Sequence, residues 1–222
     1  MVLAYIESGE MDDVNVIVTE ACISLESWMK DRVGLLESSE DKEAIFSEIQ
    51  QELIWGFRCV LLGLNFLHAN GGLVHGNLGM NAVFVTPSGD WKIGSFEISS
   101  TLSSGEEQAF FIKNQQVLDT YYYSPERKVI NLASLETKPT NLDIYSFGKC
   151  IEKCYEMLGQ ELPKSMTKYV SLMVHSDVKK RPSALKLTTC ALFTTDHCKL
   201  LENIDELATK TSKDALEVCM YI

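Results

Sequence analysis

The chain has 222 residues, 45% hydrophobic and 23% charged, enough to bury one sizeable core and too apolar for a disordered chain. Thirty-one acidic residues against twenty basic ones give a net charge of -11, and no basic cluster exceeds Lys179-Lys180-Arg181, so nucleic acid is not an expected partner. Apolar runs such as Val60 to Leu62 are broken every few residues and no basic n-region follows Met1, so no membrane span or cleaved leader is expected and the chain reads as cytoplasmic.

Two β-branched or aromatic runs open the sequence, at 2–7 and 14–19, separated by Ser8-Gly9-Glu10 and Asp12-Asp13, the pattern of an antiparallel hairpin. Most of the remainder carries helical periodicity. Ser38 with Asp41 offers a capping box, after which Ile45, Ile49, Leu53, Phe57, Val60, Leu64 and Leu67 recur until Gly71-Gly72, which predicts one helix over 39–69. A second hairpin is predicted from the runs at 82–86 and 91–94 around Pro87-Ser88-Gly89-Asp90. Residues 99–118 lack a clean period and read as an exposed loop. Apolar spacing then predicts helices at 141–158, 165–174, 182–193, 196–207 and 212–221. Seven cysteines, none in a short paired spacing, read as reduced thiols, and Cys150 and Cys154, four apart, read as buried small side chains rather than metal ligands. His68, His175 and His197 read as surface or internally satisfied histidines.

The order of these parts carries the functional signal. His75-Gly76-Asn77 with Ala82, Ser95-Phe96-Glu97, Ser124-Pro125-Glu126, the helix opening on Asp143-Ile-Tyr-Ser-Phe-Gly148, and Arg181-Pro182 follow one another as the signature segments of a protein kinase do. The chain therefore resembles the C-terminal lobe of a eukaryotic protein kinase, and an α+β, predominantly helical fold with remnant N-lobe strands is expected. The resemblance divides it into a hairpin and hinge at 1–20, a kinase-like C-lobe at 21–195 and the start of a helical extension at 196–222.

Three positions depart from an active kinase. Asn77 stands where the catalytic Asp belongs, Ala82 where an Mg²⁺-binding Asn belongs, and Ser95 where the D-F-G Asp belongs. An amide has no basic lone pair to take a proton, a methyl cannot coordinate a cation, and a lone hydroxyl is a poor Mg²⁺ ligand. Gly76 also replaces the arginine that would anchor a phosphorylated activation loop. No G-x-G and no V-A-I-K-like segment occurs, so ATP and Mg²⁺ are not expected cofactors. What the resemblance keeps is structural: Glu126 paired with Arg181, Asp143 bonded to the backbone of the His75 loop, and His75 stacked with Phe96.

The run Leu73-Val-His-Gly-Asn-Leu-Gly-Met-Asn-Ala-Val-Phe-Val with Gly89-Asp-Trp-Lys-Ile-Gly94, the opening Val-Leu-Ala-Tyr-Ile-Glu and Val18-Thr-Glu20 resemble the SCYL family of pseudokinases. That resemblance implies a scaffold without phosphotransfer, taking protein partners among trafficking or coat components, at Golgi or endosomal membranes. It also implies that most of an N-lobe and a set of HEAT-type repeats lie outside this chain. The alternative is a divergent, active ATP-dependent serine/threonine kinase.

Overall fold

The computed structural model describes residues 2–11, 14–101, 103–114, 119–128, 140–196, 198–200 and 203. Strands β1 (Tyr5–Met11) and β2 (Val14–Thr19) pair antiparallel, with Glu10 opposite Asn15 and an irregularity between Tyr5 and Glu7. The first strand thus lies farther along than 2–7. Ser8, Gly9 and Glu10 are strand residues, and the connection moves to 12–13, outside the described residues. Val2 instead bridges Ile93 and Leu3 N–H donates to its carbonyl (2.9 Å).

Beyond β2, the short β3 (Ile23–Ser24) joins a three-stranded sheet with β4 (Val83–Val85) and β5 (Trp91–Ile93) in the order β3-β4-β5. The predicted second hairpin is the β4–β5 pair. Its turn is held by Thr86, whose N–H donates to Asp90 O (3.0 Å) and whose hydroxyl accepts the Asp90 N–H (3.2 Å).

The predicted helix at 39–69 is a single helix that begins at Lys42 and runs into a π turn ending at Gly71, and a separate helix for which no span was predicted precedes it. Helix α1 (Leu25–Ser38) starts at Ser24, whose hydroxyl accepts the Ser27 N–H, and ends in extended backbone at Ser39. Helix α2 (Lys42–Phe66) starts at Asp41, whose carboxylate accepts the Ala44 N–H (3.0 Å). Ser38 is no cap for α2; its hydroxyl donates to Gly34 O in the last turn of α1. At the other end α2 widens into a π turn over Leu67–Gly71 and stops at Gly72, left-handed at φ 60°, the conformation that glycine takes most cheaply.

A further difference lies in the expected loop at 99–118, which contains helix α3 (Gly105–Asn114). Ser104 and Glu107 form the box that starts it: the Ser104 hydroxyl accepts the Glu107 N–H (3.1 Å), while the Glu107 carboxylate accepts the Ser103 N–H (2.8 Å). Helix α4 (Asn141–Met157) and α5 (Lys164–Met173) match their predicted spans closely. The predicted 182–193 helix is only α6 (Ala184–Thr188) and a 3-10 turn at Ala191–Phe193. The helices expected at 196–207 and 212–221 fall almost wholly outside the described residues, as do His197 and Cys219.

The core is built on α2 and α4. Leu53, Phe57, Leu61 and Leu64 of α2 and Ile144, Phe147, Ile151 and Cys154 of α4 are buried in one core, together with Met166, Val170 and Met173 of α5. Trp91 meets Trp28 and Phe57 edge-on at 5.4 and 5.6 Å, and Phe57 meets Phe147 at 6.0 Å. Gly56 makes this possible, since a Cβ there would stand 2.1 Å from the Trp91 indole. Cys150 and Cys154 are buried in this core, and burial pushes both thiols up. No group of three or more His, Cys, Asp or Glu among the described residues is arranged to hold a metal ion, and no helix among them is long and apolar enough to cross a membrane.

Candidate functional site

The site grows from the segment after Gly72. Val74 exchanges backbone hydrogen bonds with Ser100 (2.8 and 3.0 Å), which sets the next residue, His75, in the interior. Asp143, in the first turn of α4 and fully buried, accepts three bonds there: from His75 N–H (2.8 Å), Gly76 N–H (2.9 Å) and His68 Nε2 (2.9 Å). Burial opposes its charge, yet the His68 bond and the Gly76 N–H hold the Asp143 carboxyl below the usual carboxylate range. His68 is therefore an internally satisfied histidine at the end of α2.

Both ring nitrogens of His75 are committed. Nε2 donates to Gly94 O (2.7 Å) and Nδ1 accepts the Asn77 N–H (3.2 Å), so the pattern of partners selects the neutral tautomer with its proton on Nε2. Burial pushes the His75 pKa down, against the opposing pull of Asp143. Phe96 meets His75 edge-on at 5.0 Å rather than in parallel stacking. Between them Gly94 donates its N–H to Ala82 O (2.9 Å), and a Cβ on Gly94 would stand 2.7 Å from the Phe84 ring.

Asn77, Ala82 and Ser95 line one cavity of about 200 Å³, together with Tyr122, Arg127 and Ser146. Ser95 sits at φ 58°, a left-handed conformation that is costly for a residue with a Cβ. The charged residues on the wall are Arg127 and Asp119. Asp119 caps its own turn, its carboxylate accepting the Tyr121 N–H (2.9 Å). Arg127 is buried; it donates from Nη1 to Gly76 O and lies over the Tyr123 ring at 4.1 Å, and burial lowers its pKa to about 10. A guanidinium thus rests against the glycine that replaces the expected catalytic-loop arginine. Nothing in the sequence beyond a basic residue after Ser-Pro-Glu signals that contact.

Glu126 and Arg181 stand away from the cavity. They form a two-pronged ion pair in which Arg181 Nη2 donates to Glu126 Oε2 at 2.8 Å and Nη1 to Oε1. The Arg181 side chain is wholly buried, and it also donates from Nε to His175 O (2.8 Å) and from Nη1 to Asn141 O (3.2 Å), while its guanidinium lies 4.9 Å from the Tyr145 ring. The pair ties residues 125–128 to the start of α4 and to the turn before α6. At the opposite side, Glu20 accepts the Ala4 N–H (2.7 Å) and Lys92 Nζ (2.5 Å), which clamps the segment after β2 to β5.

The sequence matches the family described as the protein kinase domain over residues 1–210, and the chain belongs to that family. Among its relatives are proteins that carry SCY1 names. The chain is 24% identical over 178 residues to the mouse protein-associating with the carboxyl-terminal domain of ezrin, covering 77% of this chain and 24% of the relative. It is 24% identical over 155 residues to the probable inactive serine/threonine-protein kinase scy1 of Dictyostelium discoideum, and 29% identical over 169 residues to human SCY1-like protein 2, covering in both cases 69% of this chain and 17% of the relative. The chain thus spans a quarter or less of the length of these relatives.

Proposed function

We propose that the chain is a catalytically silent kinase-like domain that serves as a protein-interaction scaffold in intracellular trafficking, on the cytoplasmic face of Golgi or endosomal membranes. The observation that carries this reading is the contrast between two sets of residues. Asn77, Ala82 and Ser95 surround one cavity without supplying a base or a metal-binding carboxylate. Asp143 and the Glu126–Arg181 pair, which hold the surrounding segments together, keep every partner they need.

Chemistry at the cavity supports the same reading. Mg²⁺ asks for oxygen ligands in near-octahedral geometry, and an amide, a methyl and one hydroxyl do not make that set. The donors present do not fit the ion. The rival reading, a divergent ATP-dependent serine/threonine kinase, would have to draw its base or ligand from Asp119, whose carboxylate is engaged by its own turn. Loss of a positioned base alone typically costs ~10²- to 10⁴-fold in rate. A relative named for association with a protein domain, and another named as probably inactive, agree with a binding role.

Quantitative co-purification from cells tests the scaffold. The partner set should survive Asn77→Ala and Ser95→Ala and be lost on Glu126→Gln, which strands the buried Arg181 charge at a cost of about 3–5 kcal/mol. Partner loss on Asn77→Ala would point to chemistry at that residue. A partner set without coat or trafficking components would remove the trafficking part of the proposal.

A further inference from the structure

Tyr121 lies in a 3-10 turn, Thr120–Tyr122, directly against α4. The turn is held on three sides: Tyr121 N–H donates to the Asp119 carboxylate (2.9 Å), the Tyr122 carbonyl accepts the Ser146 hydroxyl (2.8 Å), and the Tyr122 ring packs edge-on to Tyr121 at 5.1 Å. Ser146, Lys149 and Lys153 follow at three- and four-residue steps along one stripe of α4, so anchoring Tyr122 on Ser146 sets the Tyr121 ring over both lysines. Lys149 Nζ is 4.6 Å and Lys153 Nζ 5.5 Å from the ring centroid. Tyr121 is 37% exposed, and its hydroxyl donates to a Glu156 carboxylate oxygen 3.5 Å away.

We propose that Tyr121 is a phosphorylation site whose phosphate is held by Lys149 and Lys153, fastening the 119–123 segment to α4. The proposal does not depend on the scaffold reading. The modifying reagent is a separate tyrosine kinase with Mg²⁺-ATP: the phenol gives up its proton, its oxygen bonds to the γ-phosphorus, the bond to the β-phosphate oxygen breaks, and ADP leaves. The two ammonium groups are now held by Glu152 (2.5 Å) and Glu156 (2.8 Å), each a single carboxylate at a half-exposed position. A phosphotyrosine offers a charge of about -1.5 to -2 and three acceptor oxygens at pH 7, and so competes for both lysines against two monoanions. Asp119, Glu152 and Glu156 are the acidic groups it would face, and the Glu152 and Glu156 side chains are 30% and 59% exposed, open to solvent once the lysines turn to the phosphate.

The test phosphorylates the purified chain with a soluble tyrosine kinase and Mg²⁺-ATP, maps the phosphate by mass spectrometry, and compares amide exchange over 120–123 before and after. The expected result is phosphate on Tyr121, with exchange there slowed about tenfold, the slowing absent in Lys149→Met/Lys153→Met and restored in Lys149→Arg/Lys153→Arg. Phosphate on the more exposed Tyr5 with none on Tyr121 overturns the proposal. So does phosphate on Tyr121 that leaves exchange unchanged or faster, or that slows it equally in the methionine variant.

Discussion

Asp143 and His75 show how two buried titratable side chains can hold a loop without taking part in chemistry. Three donors converge on the Asp143 carboxylate from elements far apart in the chain, so Asp143→Asn, which turns an amide donor toward them, should cost about 1–3 kcal/mol, read as a lower urea midpoint. Both groups make stability fall with acid, in separate windows. His75 is held neutral in the folded chain, whereas in the unfolded chain it takes a proton below about pH 6.5, so acidification from neutral favours unfolding. Asp143 has a folded pKa below its unfolded value of roughly 4; its stabilisation is present above that value and is lost only as pH falls through the lower folded one. Urea midpoints measured between pH 7.5 and 5 should drop in the intact chain and drop less in His75→Gln; an equal drop in both would remove His75 as the cause. The contact of Asp143 with the His75 loop was legible only through the kinase-like order of motifs, because a separation of 67 or 68 residues leaves no local signal. His68 as a third partner was not legible at all.

At the scale of elements, the packing of α2 on β5 turns on one missing methyl group. Gly56→Ala places a Cβ inside the Trp91 ring and should destabilise by about 1–3 kcal/mol despite the better helix propensity of alanine. Equilibrium unfolding checks the sign: a gain in stability would mean that Trp91 is free to move. Elements whose faces repeat over many turns were readable from their spacing, as the apolar residues of α4 and α5 show. Boundaries set by a single cap were harder. Asp41 and Ser38 sit three residues apart and either fits a capping pattern; only the Ala44 N–H decides between them. The Ser104-Gly-Glu-Glu107 box was present in the sequence, but the polar composition around it masked the helix it starts. The break between α1 and α2 lies at Ser39, in extended backbone, just where the helical pattern was expected to begin.

The whole molecule divides into a helical body and a hairpin that shares little of its core. Residues 4–10 of the hairpin are exposed along their length, with Tyr5, Ile6 and Ile17 at 60% or more and Val18 at 37%. A two-stranded ribbon is marginal in water, and its apolar faces and open edges favour association. Amides in 5–19 should exchange quickly and those in 45–66 and 142–157 slowly, and the chain should self-associate in sedimentation unless a partner covers the ribbon. Uniformly slow exchange in a monomer would show that the ribbon packs on the body. The kinase-like order of motifs was the most legible feature of the chain, because it rests on residue identities at long range rather than on local periodicity. The central claim, a kinase-like body without phosphotransfer, is met most directly by intact-mass analysis after incubation with Mg²⁺-ATP and a broad set of serine- and threonine-containing peptides. The account predicts no phosphate on the chain or on any peptide. Metal-dependent phosphate incorporation that disappears in Asn77→Ala would contradict it.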